Sequence, residues 1–258
     1  MKKVILAVMV IAGTFLTLSN AEAAYLTDML KDKGIDASVS ANVSYYSKYV
    51  WRGQVLDNDT VMQSAVNVSI AGFEGGFWGN WDLVGDDSLM SDEVDGWIGY
   101  SFDLGFINPQ VKMIGVSFGN TWYAFPGTDG YDKETYLTLS ADTFLSPYAT
   151  WYHSYGKESQ GGAHGDDYAF GISHSFDVLK NYGVTLDTGV ELGLNHEAFI
   201  AGDGGYTLWK AGLTIPLSDS VSVNPNIAYS APFGDLKSSS DGNQPDQFYG
   251  GVSMDFGF

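Results

Sequence analysis

From residue 37 onward, apolar and polar side chains alternate with a period of two in one segment after another, and no motif in the chain constrains its fold as strongly. That period belongs to strands whose two faces meet different surroundings. The last segment states it most plainly: Phe248, Gly250, Val252, Met254, Phe256 and Phe258 share one face, while Tyr249, Gly251, Ser253, Asp255 and Gly257 share the other. Twelve such segments are read. They run from Ala37 to Arg52, Val61 to Ala71, Gly75 to Leu83, Val94 to Leu104, Gln110 to Tyr123 and Glu134 to Ala141, then Tyr148 to Tyr155, Tyr168 to Phe176, Val184 to Asn195, Tyr206 to Ile215, Val221 to Tyr229 and Phe248 to Phe258.

The connections alternate too. Residues 71–74, 105–108, 144–147, 178–183 and 217–219 make short turns, whereas 53–60, 84–93, 125–133, 156–167, 196–205 and 231–247 are mostly longer and rich in Gly, Asp and Ser. Short turns at one rim and long loops at the other are the asymmetry of outer-membrane barrels. The expected fold is therefore all-β, a single transmembrane antiparallel up-and-down β-barrel of about twelve strands. Both ends of the chain then fall on the short-turn, periplasmic side. A soluble sandwich would also alternate, but it needs no such pairing of short and long connections. Tyr45, Tyr49, Trp51, Trp78, Trp97, Trp122, Tyr123, Tyr148, Trp151, Tyr155 and Tyr249 are expected to supply two interfacial aromatic girdles. Pro225 lacks a ladder donor and predicts a bulge or a shortened eleventh strand.

Met1-Lys2-Lys3, the apolar run Val4 to Leu18 and Ala21-Glu22-Ala23-Ala24 read as a secretory signal peptide, residues 1–23. The run is shorter than the roughly 20 apolar residues of a spanning helix. Residues 24–36 form an N-terminal periplasmic segment, and 37–258 the barrel. The formal charge of -19 argues against nucleic acid as a partner. It suits metal cations or cationic solutes, or acidic loops that simply keep a secreted chain soluble. The absence of cysteine excludes disulfides and thiolate metal sites.

The polar phase of each strand faces the lumen. Lumen-lining candidates are Lys48, Arg52, Asp82, Asp95, Asp142, Asp187, Glu191, Lys210 and Asp255, with Asn42, Asn80, Asn224 and Asn226 in the same phases. Acidic groups outnumber basic ones, so a water-filled interior would prefer cations, whereas pairing with Lys48, Arg52 and Lys210 would lace it shut. Twelve strands lie between a filled eight-stranded core and an open channel of 16–18 strands, which leaves openness undecided.

Catalytic signals are weak. The four histidines are His153, His164, His174 and His196. In His153-Ser154 and His174-Ser175 the neighbours point to opposite faces of a strand and cannot form a dyad. No H-E-x-x-H, G-x-S-x-G or phosphate-loop motif occurs. No cofactor, metal or catalytic residue is assigned. Acidic loops at Asp57 and Asp59, at Asp86, Asp87, Asp92 and Glu93, and at Asp166 and Asp167 could meet divalent cations, but none has the spacing of an EF-hand loop.

The stretch Tyr46-Ser47-Lys48-Tyr49-Val50-Trp51-Arg52-Gly53, with Gln63 to Ile70 and Trp78-Gly79-Asn80-Trp81-Asp82, resembles the opening of the TorF-type porins. Leu145-Ser146-Pro147, Gly171 to Asp177 and Gly250 to Met254 continue the resemblance over most of the chain beyond residue 24. It implies a proteobacterial outer-membrane barrel with a porin role and carries over no site residue. The expected function is a narrow passive channel for small hydrophilic solutes, cations preferred. Its partners would be outer-membrane lipid and lipopolysaccharide, and Phe256 and Phe258 would end the signal read by a barrel-insertion machinery. A closed structural or ligand-binding barrel, and a lipid-modifying barrel enzyme, are the alternatives.

Overall fold

Alternation of this kind closes into a ring of twelve antiparallel strands in the computed structural model, which describes residues 20–84, 92–126, 131–156, 163–198, 200, 202–238 and 242–258. Most of the segment read as a signal peptide, and Asp86 and Asp87, lie outside the described residues. The strands are β1 (Ala37–Tyr46), β4 (Val61–Ile70), β5 (Phe73–Asp82), β6 (Glu93–Asp103), β7 (Ile114–Ala124), β8 (Tyr131–Ala141), β9 (Tyr148–Tyr155), β10 (His164–Leu179), β11 (Val184–His196), β12 (Asp203–Ser218), β13 (Val221–Gly234) and β14 (Gln247–Gly257). Two further strands, β2 (Tyr49–Trp51) and β3 (Gln54–Asp57), form a separate hairpin between β1 and β4. The ring closes where β1 pairs with β14 from Ser40 opposite Gly257 to Tyr46 opposite Gly251. Beyond that ladder, Phe258 N–H donates to Val39 O at 2.9 Å and Val39 N–H donates back at 3.2 Å. Among the described residues the twelve-stranded ring has no open edge.

Closure sorts the two phases. Val43, Tyr45, Phe77, Trp81, Ile98, Phe118, Trp122, Leu137, Leu139, Trp151, Phe170, Ile172, Trp209, Ile227, Phe248, Val252 and Met254 all stand exposed on the outer face. Such a continuous apolar belt would be a severe liability in water and is matched by hydrocarbon. Among the described residues no helix is long and apolar enough to cross a membrane.

Several boundaries differ from the sequence reading. The first strand ends at Tyr46 and does not run to Arg52, because residues 47–60 turn into the barrel. Strands β10 and β12 have 16 residues each. At about 3.3 Å per residue they rise roughly 53 Å, well beyond a hydrocarbon core of about 30 Å. Residues assigned to loops, such as Asp166 opposite His153 and Gly205 opposite Leu194, keep laddering there because each still has a neighbour. The β6–β7 connection is longer than expected: Asp103 and Asn108 cap two single turns of 3-10 helix, so β7 starts at Ile114 and not at Gln110. Pro225 makes neither a bulge nor a short strand. It pairs with Val252 in β14, and the β12–β13 ladder skips Leu213 and Thr214 before resuming in the same register.

The aromatic girdle is also corrected. Tyr45, Trp122, Trp151 and Tyr155 do point outward, but Trp78, Trp97, Tyr123, Tyr148 and Tyr249 lie on inward-facing rows, and Tyr49 and Trp51 sit on the inner hairpin. Rings near strand ends were read by type, whereas the pleat assigns them by parity.

Helix α1 (Asn20–Lys31) begins before the proposed cleavage point. Its Leu30 packs against Ala37, Val39, Val68 and Ile70, with Ile35 and Phe258 alongside. Val39 shares the parity of exposed Val43, and Val68 that of exposed Met62, so these are outer-face residues. The described part of the N-terminal segment therefore lies against the outside of the barrel, at the short-turn rim, and not in the lumen.

Candidate functional site: a lumen capped at its long-loop mouth

The inner wall carries the other phase and encloses a cavity of about 890 Å³. What shapes its long-loop end is the hairpin. Trp51 pairs with Gln54, leaving Arg52 (φ 46°) and Gly53 (φ 79°) as a two-residue turn with positive φ at both positions. That backbone matches the twist of a tight hairpin, and glycine adopts it without strain. A side chain at Gly53 would also collide with Cβ of Tyr206 at 2.7 Å. The turn seats against β12 and against Leu236 of a short helix, α2 (Asp235–Ser238).

Leaving β1, the hairpin crosses the lumen to strands on the far side of the ring. The Arg52 guanidinium donates through Nη1 to Glu134 Oε2 at 2.6 Å and through Nη2 to Glu134 Oε1 at 2.8 Å. It also lies 3.2 Å from Asp167 Oδ2, and its plane sits 3.7 Å from the Tyr152 ring centroid. A planar fork can satisfy a carboxylate and stack on a ring at once, which an ammonium cannot. Tyr49 OH donates to Glu93 Oε2 at 2.8 Å, and Tyr123 OH donates to Glu134 Oε1 at 3.0 Å. Val55 N–H donates to Gln244 Oε1 at 2.9 Å, tying the hairpin to the last long loop. On the hairpin itself, burial pushes the Asp57 carboxyl above its usual range, an effect opposed by its hydrogen bond from the Asp59 N–H. Glu134 and Asp167 are almost wholly buried, so this is a desolvated ion-pair network and not a surface decoration.

Below the cap the carboxylates have neutral partners. Glu191 receives Tyr206 OH at 2.8 Å and also Tyr148 OH. The two rings reach it by lying over Gly193 and Gly171, their cross-strand neighbours, where any side chain would collide. Asp187 accepts from Thr214 Oγ1 at 2.7 Å and Thr185 Oγ1 at 3.2 Å, and Asp255 accepts from Asn224 Nδ2 at 2.7 Å. Tyr136 OH donates to Glu74 at 3.2 Å.

Residues 34–232 match the model of a family described as a bacterial protein of unknown function, Gcw_chp. The chain belongs to the Gcw_chp family. No curated protein matches it. Among solved structures, the KdgM porin is similar over 86% of this chain and 99% of its own, at 12% identity and a TM-score of 0.53. The NanC porin is similar over 84% and 98%, at 12% identity and a TM-score of 0.52. KdgM has the same similarity in a structure with disordered oligogalacturonate. At such identity the likeness is one of fold.

In this Gcw_chp chain, Asp95, Asp187, Glu191, Lys210 and Asp255 occupy inward rows, and Asp82 sits on the inward row of β5 at its long-loop end. Lys48 lies in the link between β1 and the hairpin, lines the cavity and hydrogen-bonds Asn58. Arg52 belongs to the hairpin turn and not to a wall strand. Asp142 does not join the lumen group: it is exposed in the short turn after β8, its N–H bonded to Met113 O at 2.7 Å. Glu93, Glu134 and Asp167 were missed as lumen groups. Glu134 shares the even parity of Tyr136, so strand phase alone would have found it, but Glu93 and Asp167 fell within segments read as loops.

His153, His174 and His196 have local partners. His153 Nδ1 lies 3.0 Å from Asp166 Oδ1, His196 Nδ1 lies 2.6 Å from Asp203 Oδ1, and His174 Nδ1 lies 2.6 Å from Phe144 O between the Phe144 and Phe176 rings. Among the described residues no histidine–serine pair lies within hydrogen-bond reach, and no group of three or more His, Asp or Glu could hold a metal ion.

Proposed function

We propose that this protein is an outer-membrane channel for passive diffusion of small hydrophilic solutes, with a preference for cations and an outer mouth narrowed by its own first long loop. The observation that carries the reading is the charge of the inner wall inside an apolar belt. Glu74, Asp95, Asp132, Glu134, Asp167, Asp187, Glu191 and Asp255 stand on inward rows, and the described cations against them are Lys48, Arg52 and Lys210. One of those, Arg52, is already consumed by Glu134 and Asp167. A wall of one sign in a low-dielectric tube raises the local concentration of counter-ions. The KdgM structure with oligogalacturonate, a polyanion, offers a fold relative with a solute of the opposite sign.

On this reading residues 1–23 direct export and are removed, the long loops face outward, and the belt meets lipid and lipopolysaccharide. Phe256 and Phe258 then end the strand presented to the barrel-insertion machinery. The TorF-type resemblance points the same way. Planar bilayers under a potassium chloride gradient test it: the reversal potential should take the sign of cation selectivity. An anion-selective reversal potential, or folded protein that never conducts, would overturn it. Because the hairpin spans the mouth, a closed barrel is the second reading, and complete silence of folded protein would favour it.

A further inference from the structure

Glu93 and Asp95 are consecutive members of the inward row of β6, only 3% and 8% exposed, and they are hydrogen-bonded side chain to side chain. Two carboxylates have no hydrogen between them, so that bond requires a shared proton. Among the described residues no lysine or arginine forms an ion pair with either. Like charges this close in a dry place do not both ionise, and one proton removes the conflict.

What covers the pair is the cap. Tyr49 of the hairpin donates to Glu93 Oε2 at 2.8 Å, and its ring sits 5.4 Å from that of Trp78, which register places beside Asp95. On the other side, Tyr123 of β7 lies beside Asp95 and gives its hydroxyl to Glu134 of β8. Glu134 and Asp167 of β10 share the Arg52 guanidinium. The other titratable groups of the hairpin and its surroundings have partners of their own. Asp57 accepts from the Asp59 N–H, Asp132 from the Lys133 and Ala163 N–H groups, and Asp92 from the Asp82 N–H. The Asp82 carboxylate accepts from the Val84 N–H, Lys48 hydrogen-bonds Asn58, and the Lys133 ammonium lies over the Tyr131 ring. None of these brings a positive charge to the pair.

We propose that Glu93 and Asp95 form a proton-operated latch for the mouth: the hairpin stays seated while they share a proton and lifts when they lose it. Without the proton, two adjacent carboxylates lie buried beneath Tyr49, and water reaches them only if the hairpin moves. A stronger hydrogen bond from Tyr49 compensates an ionised Glu93 in part, but it does nothing for Asp95. The seated state therefore binds one proton more than the lifted state, so acid favours the sealed mouth and rising pH favours the lifted hairpin. The inference deepens the channel reading and rests on it only for what a lifted hairpin would let through.

Hydrogen–deuterium exchange of the refolded barrel in detergent tests this without requiring conductance. Protection factors of residues 49–57, with the intrinsic pH dependence of exchange divided out, should fall as pH rises from about 5 to about 9, a window above ordinary carboxylates and below tyrosine. The fall should approach about ten-fold per pH unit where one proton is released, while β11 and β12 keep their protection. The double variant Glu93→Gln with Asp95→Asn leaves no carboxyl in the pair and replaces the shared proton by amide N–H groups. Its hairpin should stay protected, with no slope across the window. The heat-dependent gel shift establishes folding, and Asp95→Asn alone, expected to flatten the slope in the same way, serves if the double variant does not fold. Hairpin protection that ignores pH in the folded wild-type protein overturns the latch, as does a wild-type slope retained in the folded variant. Both results are distinct from the bilayer outcome, since a barrel that never conducts can still lift its hairpin, and a conducting one can keep it seated.

Discussion

The two ends of the lumen hold their carboxylates differently. At the capped mouth, Glu134 and Asp167 are sealed from water and share one guanidinium delivered from the opposite side of the ring. Toward the short-turn rim, Asp187 and Asp255 are held by hydroxyl and amide groups of the same or the next strand, and among the described residues no cation is paired with them. The mouth is a long-range construction that a single residue can undo. The base is local, held by neighbours on the same or the next strand. On the proposed channel reading, resistance to passage would belong to the mouth and charge preference to the wall below.

Breaking the mouth should have the largest effect. Arg52→Ala removes the shared partner of two buried carboxylates, a change of about 3–5 kcal/mol for a broken buried ion pair. Since that energy holds a hairpin across the lumen, single-channel conductance should rise several-fold, with a lower melting temperature. An unchanged conductance would show that the hairpin is not the constriction. Tyr49→Phe takes away one donor to buried Glu93, about 1–3 kcal/mol, and should loosen the cap less, seen as brief openings and not as a new conductance level. The Lys237–Asp246 pair joins exposed residues in the last long loop at 2.7 Å. The hydrogen bond from Lys237 holds the Asp246 carboxyl below its usual range. Its contribution is thus present above the ordinary carboxylate range and fades as pH falls through the lowered value. Exposed and screened, it should be lost in Asp246→Asn with no resolvable change in melting temperature or conductance at neutral pH.

The alternation made the ring legible, because a period of two sorts every residue of a strand without knowledge of its partners. Inward placement of Asp187, Glu191, Lys210 and Asp255 follows from strand phase alone. The hairpin was hidden for the opposite reason. Val39 to Trp51 alternates well enough to read as one strand, and only the contacts of Tyr49 with Glu93 and Arg52 with Glu134, 44 and 82 residues away, divert it. Asp142 was misplaced because parity continues to assign a face after the strand has stopped. Helix α1 settled outside because Val39, Val68 and Ile70 form an apolar surface only once β1 and β4 are side by side.

By itself, then, the sequence determined that the chain forms strands, how many close the ring, and which face of most of them is apolar. Those are local properties, set by side-chain type at a spacing of two. Only the tertiary structure decided that the first long loop folds inward, that Arg52 meets Glu134 and Asp167, and that Tyr49 meets Glu93. Each of those depends on residues far apart in sequence reaching one place, and burial acts on the place rather than on the order of the chain.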